Sequence, residues 1–319
     1  MAQDWRLFQG GDTEPHDVEA WPTAPPWRRF GDDSPRRSRG RLPYLISEED
    51  RDVVNMALHL HRPLLVTGPP GTGKSTLARA VAQELKLGEV LHWPVNSRST
   101  LTEGLYSYDA VGRLREASLR QRAEEPTGPE PDIGDYLRLG PLGTALLPDE
   151  RRPRVLLIDE LDKGDVDLPN DLLTVFEDGE FEIPELARLG AEKTVPVQVT
   201  GSRQRVGITG GRVGCRIFPV VVITSNGERE FPPAFLRRCV RLDLKHPDEQ
   251  QLQRIVTMHL GEEVGARAQE LITHFVGLRN ERELATDQLL NAVRLRASGV
   301  RVDHDVLDKL FRSLNEVDA

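Results

Sequence analysis

The hydrophobic and polar positions of this chain follow two alternating patterns from residue 44 onward. Five apolar runs predict short strands that are buried on both faces: PLLVT (63–67), VLHWPV (90–95), RVLLID (154–159), PVVVIT (219–224) and VRLDL (240–244). Between several of these runs, apolar residues recur at helical spacing, as in residues 47–60 and 74–85. Buried strands that alternate with helices predict a three-layer α/β domain with a parallel sheet, here at residues 44–246.

The pattern beyond residue 246 contains helices alone. Helical periodicity occupies residues 248–260, about 263–279, about 286–298 and 303–314, which predicts a small helical domain at 247–319. Two long stretches of the α/β domain, about 104–148 and 179–217, break its alternation of strands and helices. Long stretches of this kind predict insertions. Within the first insertion, YSYDAVGRL predicts a hairpin.

Residues 1–43 have no such periodicity. They contain six prolines, seven arginines and three of the four tryptophans. The segment WPTAPPWRRF excludes a helix or a central strand, because proline lacks an amide donor and restricts the residue before it. Disordered segments are usually poor in aromatic residues. We therefore expect an arm that docks on the protein or on a neighbouring subunit, with a disordered leader as the alternative.

Composition narrows the class of protein. The net charge of −9 and the pI of about 5.5 argue against a mainly electrostatic nucleic-acid binder. Two cysteines do not indicate a disulfide framework, and the eight histidines show no metal-ligand or catalytic spacing. The first residues lack a secretory signal, and no apolar run approaches the ~20 residues that cross a bilayer. A cytoplasmic location without membrane contact is expected.

The segment GPPGTGKS is a complete G-x-x-x-x-G-K-[ST] phosphate loop. It follows a predicted strand and opens a predicted helix, which is the context that this motif requires. The glycines let backbone amides surround phosphate groups at the positive end of the helix, where Lys74 reaches the β- and γ-phosphates and Ser75 binds Mg²⁺. The predicted ATP-binding residues of this segment are Gly68, Pro69, Pro70, Gly71, Thr72, Gly73, Lys74, Ser75 and Thr76.

The strand RVLLID ends in two acids, Asp159 and Glu160. Asp159 is predicted to lie near the Mg²⁺ ion. Glu160 is predicted to polarise a water molecule, because general-base catalysis needs a carboxylate within hydrogen-bond reach of that water. A second acid in this position favours ATP hydrolysis over phosphoryl transfer to a metabolite.

The phosphate loop, LLIDELDKGDVDLPNDLLTVFEDGEFEIPE and VVVITSNGEREFPPAFLRRC together resemble an AAA+ ATPase of the MoxR family. The resemblance covers about residues 44–319 and leaves residues 1–43 outside it. It implies an α/β nucleotide domain with a helical lid, and a homo-oligomeric ring that is usually a hexamer. It also implies ATP-driven remodelling of a protein client. Members of this family often act beside partners that carry von Willebrand A domains.

The same resemblance assigns roles to four further residues. Asn226 matches sensor 1, a polar group that orients the attacking water together with Glu160. Arg238 matches the arginine finger that reaches the ATP of the next subunit, and a one-residue shift would give this role to Arg237. Pairing of both arginines with surface acids is the alternative. Arg282 is the nearest match to the sensor 2 cation, but the usual proline-containing context is absent here.

Three other functions stay open at this stage. The chain could be an ATP-gated scaffold or switch in a defence-type module, in which hydrolysis only resets the assembly. A nucleic-acid motor is disfavoured by the acidic composition, and a small-molecule kinase would not need the arginine pair.

Tyr106 and Tyr108 could face the central pore of a ring or make a small packing contact.

Overall fold

The computed structural model describes residues 7, 22–28, 44–122, 132–148, 152–279, 282–298 and 309–311. Two compact units are present: one comprises Ile46–Pro69 and Gly73–Leu244, and the other comprises the described residues of Met1–Leu45, Pro70–Thr72 and Lys245–Ala319. Most of the predicted arm at residues 1–43 lies outside the described residues. Among the helices in these described ranges, none is long and apolar enough to span a membrane.

The strands and helices are numbered in chain order. The strands are β1 (Leu64–Thr67), β2 (Leu91–Pro94), β3 (Tyr106–Tyr108), β4 (Leu137–Leu139), β5 (Val155–Asp159), β6 (Glu180–Glu182), β7 (Thr194–Gln198), β8 (Arg205–Thr209), β9 (Arg212–Gly214), β10 (Val220–Thr224) and β11 (Val240–Asp243). The α-helices are α1 (Glu48–Leu60), α2 (Lys74–Glu84), α3 (Leu101–Leu105), α4 (Ala110–Arg122), α5 (Pro141–Ala145), α6 (Leu168–Asp178), α7 (Pro184–Ala187), α8 (Pro233–Leu236), α9 (Glu249–Leu260), α10 (Glu262–Ala266), α11 (Gln269–Arg279) and α12 (Thr286–Ala297).

A five-stranded parallel sheet forms the centre of the first unit, with the strand order β11-β1-β10-β5-β2. These are the five strands that the apolar runs predict, and each begins within one residue of its prediction. Val66 of β1 lies opposite Thr224 of β10, and Ile223 of β10 lies opposite Ile158 of β5. The α/β fold with a parallel P-loop sheet and a helical C-terminal region is therefore confirmed.

Helices pack on this sheet through apolar side chains. Helix α1 begins at a Ser47 cap, whose hydroxyl accepts a hydrogen bond from the amide of Asp50 at 3.0 Å. Helix α2 buries Leu77, Ala78 and Ala82 and so holds the phosphate loop at the end of β1. Removing such side chains from water stabilises the unit by about 25 cal/mol per Å² of apolar surface buried.

The two predicted insertions contain the second and third sheets of this unit. Strands β3, β4, β7 and β8 form a four-stranded sheet, and β6 pairs with β9. The parallel pair of β4 and β7, with Arg138 opposite Gln198, joins the two insertions. They are therefore one connected structure, whereas the sequence indicates two separate ones.

The hairpin predicted at YSYDAVGRL is wrong. Only its first three residues form a strand, β3, which pairs with β4, and the remainder enters helix α4. The carboxylate of Asp109 accepts a hydrogen bond from the amide of Gly112 at 2.8 Å, and the carbonyl of Asp109 accepts one from the amide of Arg113 at 3.1 Å. Asp109 therefore caps the start of a helix and does not form the turn of a hairpin.

Tyr106 and Tyr108 of the first insertion both make packing contacts. The ring of Tyr106 stacks on Phe181 with their centroids 6.5 Å apart, and its hydroxyl donates to Glu185 at 3.0 Å. Burial and this hydrogen bond raise the pKa of Tyr106 to about 12. The hydroxyl of Tyr108 accepts a hydrogen bond from Arg113 at 3.1 Å. These contacts favour the packing interpretation over exposure to a pore.

The second unit has its own core within helices α9 to α12. Apolar side chains of these helices bury one another around Phe275, whose ring lies 5.4 Å from that of Phe311. A single helix predicted at about 263–279 is two helices, because the chain turns at Arg267 and Ala268. The helix predicted at 303–314 lies mostly outside the described residues. Trp27 donates a hydrogen bond to Asn291 of α12 at 3.0 Å, within this same unit.

Candidate active site

The phosphate loop lies between β1 and α2, as its motif requires. Gly68, Gly71 and Gly73 have φ values of +138°, +75° and +90°, which residues other than glycine rarely adopt. A Cβ atom on Gly68 would lie 2.3 Å from the carbonyl oxygen of Leu244. The first amides of a helix have no partner within the helix, and Gly73 has no side chain that could cap those of α2. Backbone amides left free in this way can bind phosphate oxygens.

Lys74 points its ammonium group back over the loop. Its side chain is almost fully buried, and Nζ donates to the carbonyls of Gly68 at 2.6 Å and Pro69 at 2.9 Å. Burial lowers the pKa of Lys74, and the nearby carboxylates of Asp162, Glu160 and Asp159 partly oppose that shift. The loop therefore holds a positive charge among three acids.

Asp159 ends β5 and receives three hydrogen bonds. Its Oδ1 accepts from the Ser75 hydroxyl at 2.6 Å and from the Thr224 hydroxyl at 2.7 Å, and its Oδ2 lies 3.0 Å from Nε2 of His92. Burial alone would raise the pKa of Asp159, but the hydrogen bonds from His92, Ser75 and Thr224 lower it to about 2. The carboxylate is therefore ionised at neutral pH, and a hydroxyl beside an ionised carboxylate suits a hard cation such as Mg²⁺.

His92 and Thr224 are site residues that the sequence analysis did not identify. His92 lies on β2, where His92 and Pro94 are exposed while Leu91 and Trp93 are buried. This alternation shows one open face of the strand, but it does not show which strand lies beside it. The pairing of β2 with β5 is what places His92 against Asp159. Thr224 is buried at the end of β10, and its hydroxyl donates to the carboxylate of Asp159 and accepts from the backbone amide of Glu160.

Glu160 follows Asp159 in an unusual backbone conformation. Its φ is +59°, although it is not a glycine, and its amide donates to the Thr224 hydroxyl at 2.8 Å. A left-handed conformation at a non-glycine residue costs free energy and is common at functional sites. Its carboxylate is about half exposed and has two contacts: Oε1 accepts from Nδ2 of Asn226 at 3.5 Å, and Oε2 accepts from Nζ of Lys163 at 3.0 Å.

Strand order brings these predicted residues together. β10 lies between β1 and β5 and runs parallel to both, so the phosphate loop, Asn226 and Glu160 follow three adjacent strands at one edge of the sheet. Ligands of open parallel sheets bind outside the carboxyl ends of the strands. The predicted loop lysine, both acids and the polar residue at the tip of β10 therefore share one site.

The arginine pair lies after α8 and makes contacts of its own. Arg238 donates from Nε to the carboxylate of Glu177 and from Nη1 to the carbonyl of Ala234 at 3.2 Å. Arg237 is exposed, and its carbonyl accepts a hydrogen bond from Arg62 at 3.4 Å. Within the described residues, neither arginine is hydrogen-bonded to an acid of the site.

The remaining predicted residues belong to the second unit. Pro70, Gly71 and Thr72 are grouped with the helical unit, as is Arg282. Arg282 lies between α11 and α12, and its amide donates to the carbonyl of Leu278 at 2.9 Å. Cofactor binding by Arg282 stays a prediction.

The comparison with protein families agrees with this geometry. The profile of the AAA domain, dynein-related subfamily, matches residues 63–239, which is more than half of the 319 residues. No curated protein matches the sequence. Among solved structures, the chain is similar to a point mutant of RuvB from Thermotoga maritima, with a TM-score of 0.38 and 15% identity over 84% of this chain and 70% of that one. The matched residues contain the phosphate loop, Asp159, Glu160 and Asn226, and the chain is thus an ATPase that belongs to the AAA domain family, in its dynein-related subfamily.

Proposed function

We propose that this chain is a Mg²⁺-dependent ATP hydrolase of the MoxR type that acts as a homo-oligomeric ring, of six subunits, to remodel a protein client. A protein with a von Willebrand A domain would be its partner. The observation that carries the proposal is the convergence of Lys74, Asp159, Glu160 and Asn226 at the ends of three adjacent parallel strands.

Each residue of the site has a separate chemical task. Bound ATP with Mg²⁺ supplies the phosphoryl group that is transferred to water. Lys74 neutralises phosphate charge, and Ser75 and Asp159 are the oxygen ligands that would hold the ion. Glu160 accepts a proton from water at its carboxylate, and Asn226 orients that water with its amide.

The arginine finger is assigned to Arg238 and would act on the ATP of the neighbouring subunit. Its side chain is 38% exposed and ion-paired with Glu177, whose side chain is 53% exposed. Exposed ion pairs contribute only about 0–1 kcal/mol, so a phosphate group on a neighbouring subunit can compete for the guanidinium. Arg237 is the alternative donor.

If the protein acts as a ring, the rate of ATP hydrolysis per subunit should depend on protein concentration. Because half of each site would come from a neighbour, the rate per subunit should rise steeply with concentration and then level off. The rate of phosphate release from ATP, measured beside the molar mass by light scattering, tests this. A constant rate per subunit in a monomer would contradict a shared site.

An ATP-gated assembly switch is a second candidate function. One observation favours it: Glu160 and Arg238 are both held by ion pairs within the chain, to Lys163 and Glu177. Each pair would compete weakly with the catalytic role of its residue until assembly exchanges the partners. A switch would still assemble and signal when hydrolysis is blocked, whereas a remodeller would stall.

The contact between His92 and Asp159 leads us to expect that His92 affects the Mg²⁺ requirement of ATP hydrolysis. Replacing His92 with alanine removes the donor to Oδ2 of Asp159 and leaves that carboxylate less well oriented. Partners that orient metal ligands typically contribute about 10–100-fold in affinity or activity. The Mg²⁺ concentration at half-maximal ATP hydrolysis should therefore rise about tenfold or more.

A matched control for this experiment is His59→Ala on α1, where the side chain is exposed. His92→Gln keeps an N–H donor and should retain part of the wild-type Mg²⁺ requirement. An unchanged requirement in His92→Ala would show that His92 does not orient Asp159.

A further inference from the structure

Asp162 is a buried carboxylate that the proposed chemistry does not use. It lies two residues after Glu160, in a short 3-10 helix (Leu161–Lys163), and only 3% of its surface is exposed. Aspartate is almost never this buried unless it is paired. Its contacts therefore need a physical explanation.

Among the described residues, the side-chain hydrogen bonds of Asp162 go to the loop that follows β10. Its Oδ2 accepts from the backbone amides of Asn226 at 2.9 Å and Glu228 at 3.1 Å. Its Oδ1 is buried and has no hydrogen-bond partner among the described residues. One carboxylate thus connects the segment after β5 to the loop after β10, and both segments carry residues of the site.

Other hydrogen bonds among the described residues also hold that loop, including one from Nη1 of Arg229 to the carbonyl of Gly164 at 2.9 Å. The amide of Ser225 donates to the carbonyl of Val66 at 3.0 Å, and the Ser225 hydroxyl accepts from the amide of Gly227 at 2.9 Å. Gly227 has a φ of +81°, so the chain turns sharply there. Without Asp162, the amides of Asn226 and Glu228 would lose their acceptor.

A displaced loop would change the catalytic contact itself. The side-chain amide of Asn226 lies 3.5 Å from Oε1 of Glu160, at the limit of a hydrogen bond. A shift of about 1 Å in a catalytic group can cost about 10²-fold in rate. Moving Asn226 would also leave a buried carboxylate without donors, which is strongly unfavourable.

We propose that Asp162 is a positioning residue for ATP hydrolysis: its Oδ2 fixes the backbone at Asn226 and Glu228 and thereby sets the Asn226 amide against Glu160. This inference rests on the proposed roles of Glu160 and Asn226. Asp162 does not contact the nucleotide in this role. It acts through the loop.

The charge of Asp162 offers a second way in which it could act. Among the three acids near Lys74, Asp162 has the largest effect in opposing the lowered pKa of that lysine. Asp162→Asn separates the two effects, because its amide oxygen can accept both loop hydrogen bonds while the charge is lost. Asp162→Ala removes both the charge and the acceptor.

The test compares these variants in the full chain. Asp162→Ala should lower kcat for ATP about 10–100-fold, with the Kd for a fluorescent ATP analogue changed less than about threefold, since the loss falls on positioning and not on binding. Asp162→Asn should keep kcat within about threefold of wild type. Equal losses in both variants would overturn the proposal, because charge would then be the cause.

A double-mutant cycle with Asn226→Ala tests the route of the effect. If Asp162 acts through Asn226, Asp162→Ala should lower kcat little further in the Asn226→Ala background. If the double variant instead loses kcat by the product of the two single-variant losses, the proposal is overturned. Asp162→Leu, of similar size and without a buried cavity, replaces Asp162→Ala if that variant unfolds.

Hydrogen exchange separates this inference from the proposed function. The amides of Asn226 and Glu228 should exchange at least tenfold faster in Asp162→Ala than in wild type, but not in Asp162→Asn. Unchanged exchange would overturn the positioning role even in an active enzyme. Faster exchange in Asp162→Ala, when the wild type itself does not hydrolyse ATP, would contradict the proposed function alone.

Discussion

Glu160→Gln is expected to bind ATP but to hydrolyse it about 10²–10⁴ times more slowly than wild type, the usual contribution of a general base. Glutamine keeps the size of the side chain and can still contact Asn226 and Lys163, but it cannot take a proton from water. Phosphate release under saturating ATP measures the rate, and equilibrium binding of a fluorescent ATP analogue measures the affinity.

Two control variants test whether the loss of ATP hydrolysis is specific to Glu160. Glu182→Gln on β6 removes one exposed carboxylate of the same unit and should leave the rate unchanged. Lys163→Met removes the ion-pair partner of Glu160 and should leave hydrolysis intact, because the base itself remains. Glu160→Gln with a near-normal rate would mean that another group activates the water.

Arg238→Ala is expected to lower the hydrolysis rate of the assembled protein by about 10³–10⁵, the contribution of an arginine finger. The fold should be nearly unaffected, because the exposed pair of Arg238 and Glu177 contributes no more than about 1 kcal/mol. Urea denaturation of the variant and wild type checks the fold, and phosphate release at a concentration that gives assembly checks the activity.

Mixing two inactive variants tests whether the finger acts between subunits. A mixture of Arg238→Ala and Glu160→Gln subunits contains sites with an intact Glu160 from one chain and an intact Arg238 from the next. Activity should therefore return on mixing. An Arg238→Ala monomer with full activity would be incompatible with this arrangement, and inactivity confined to Arg237→Ala would give the role to Arg237. Arg241→Ala, another exposed arginine, is the matched control.

The three inner strands of the central sheet, β1, β10 and β5, were predictable because they are buried on both faces. Each is a continuous apolar run, and such runs stand out from the helical periodicity around them. The edge strands β2 and β11 expose alternate residues, so the prediction of burial on both faces is wrong for these two. The phosphate loop and the Asp159–Glu160 pair were also visible, because their chemistry lies in consecutive residues. Local patterns were sufficient for these features.

The features that sequence analysis missed depend on which strands are neighbours. His92 contacts Asp159 only because β2 pairs with β5, and Asp162 contacts the Asn226 loop only because β10 lies beside β5. Nothing local to His92 or Asp162 indicates these contacts. The helix at Ala110–Arg122 was missed for another reason: Asp109 is typical of turns and helix caps alike, and its hydrogen bond to Gly112 decides between them.

The order of strands in the central sheet has a consequence for synthesis of the chain. β1, which leads into the phosphate loop, pairs only with β10 and β11 in this sheet. During translation, β1 therefore emerges from the ribosome long before either of its partners exists. The nucleotide site cannot close until Val220–Thr224 and Val240–Asp243 have also emerged. A nascent chain that stops before these strands leaves the edges of β1 unpaired, and truncated products are expected to aggregate rather than to bind ATP.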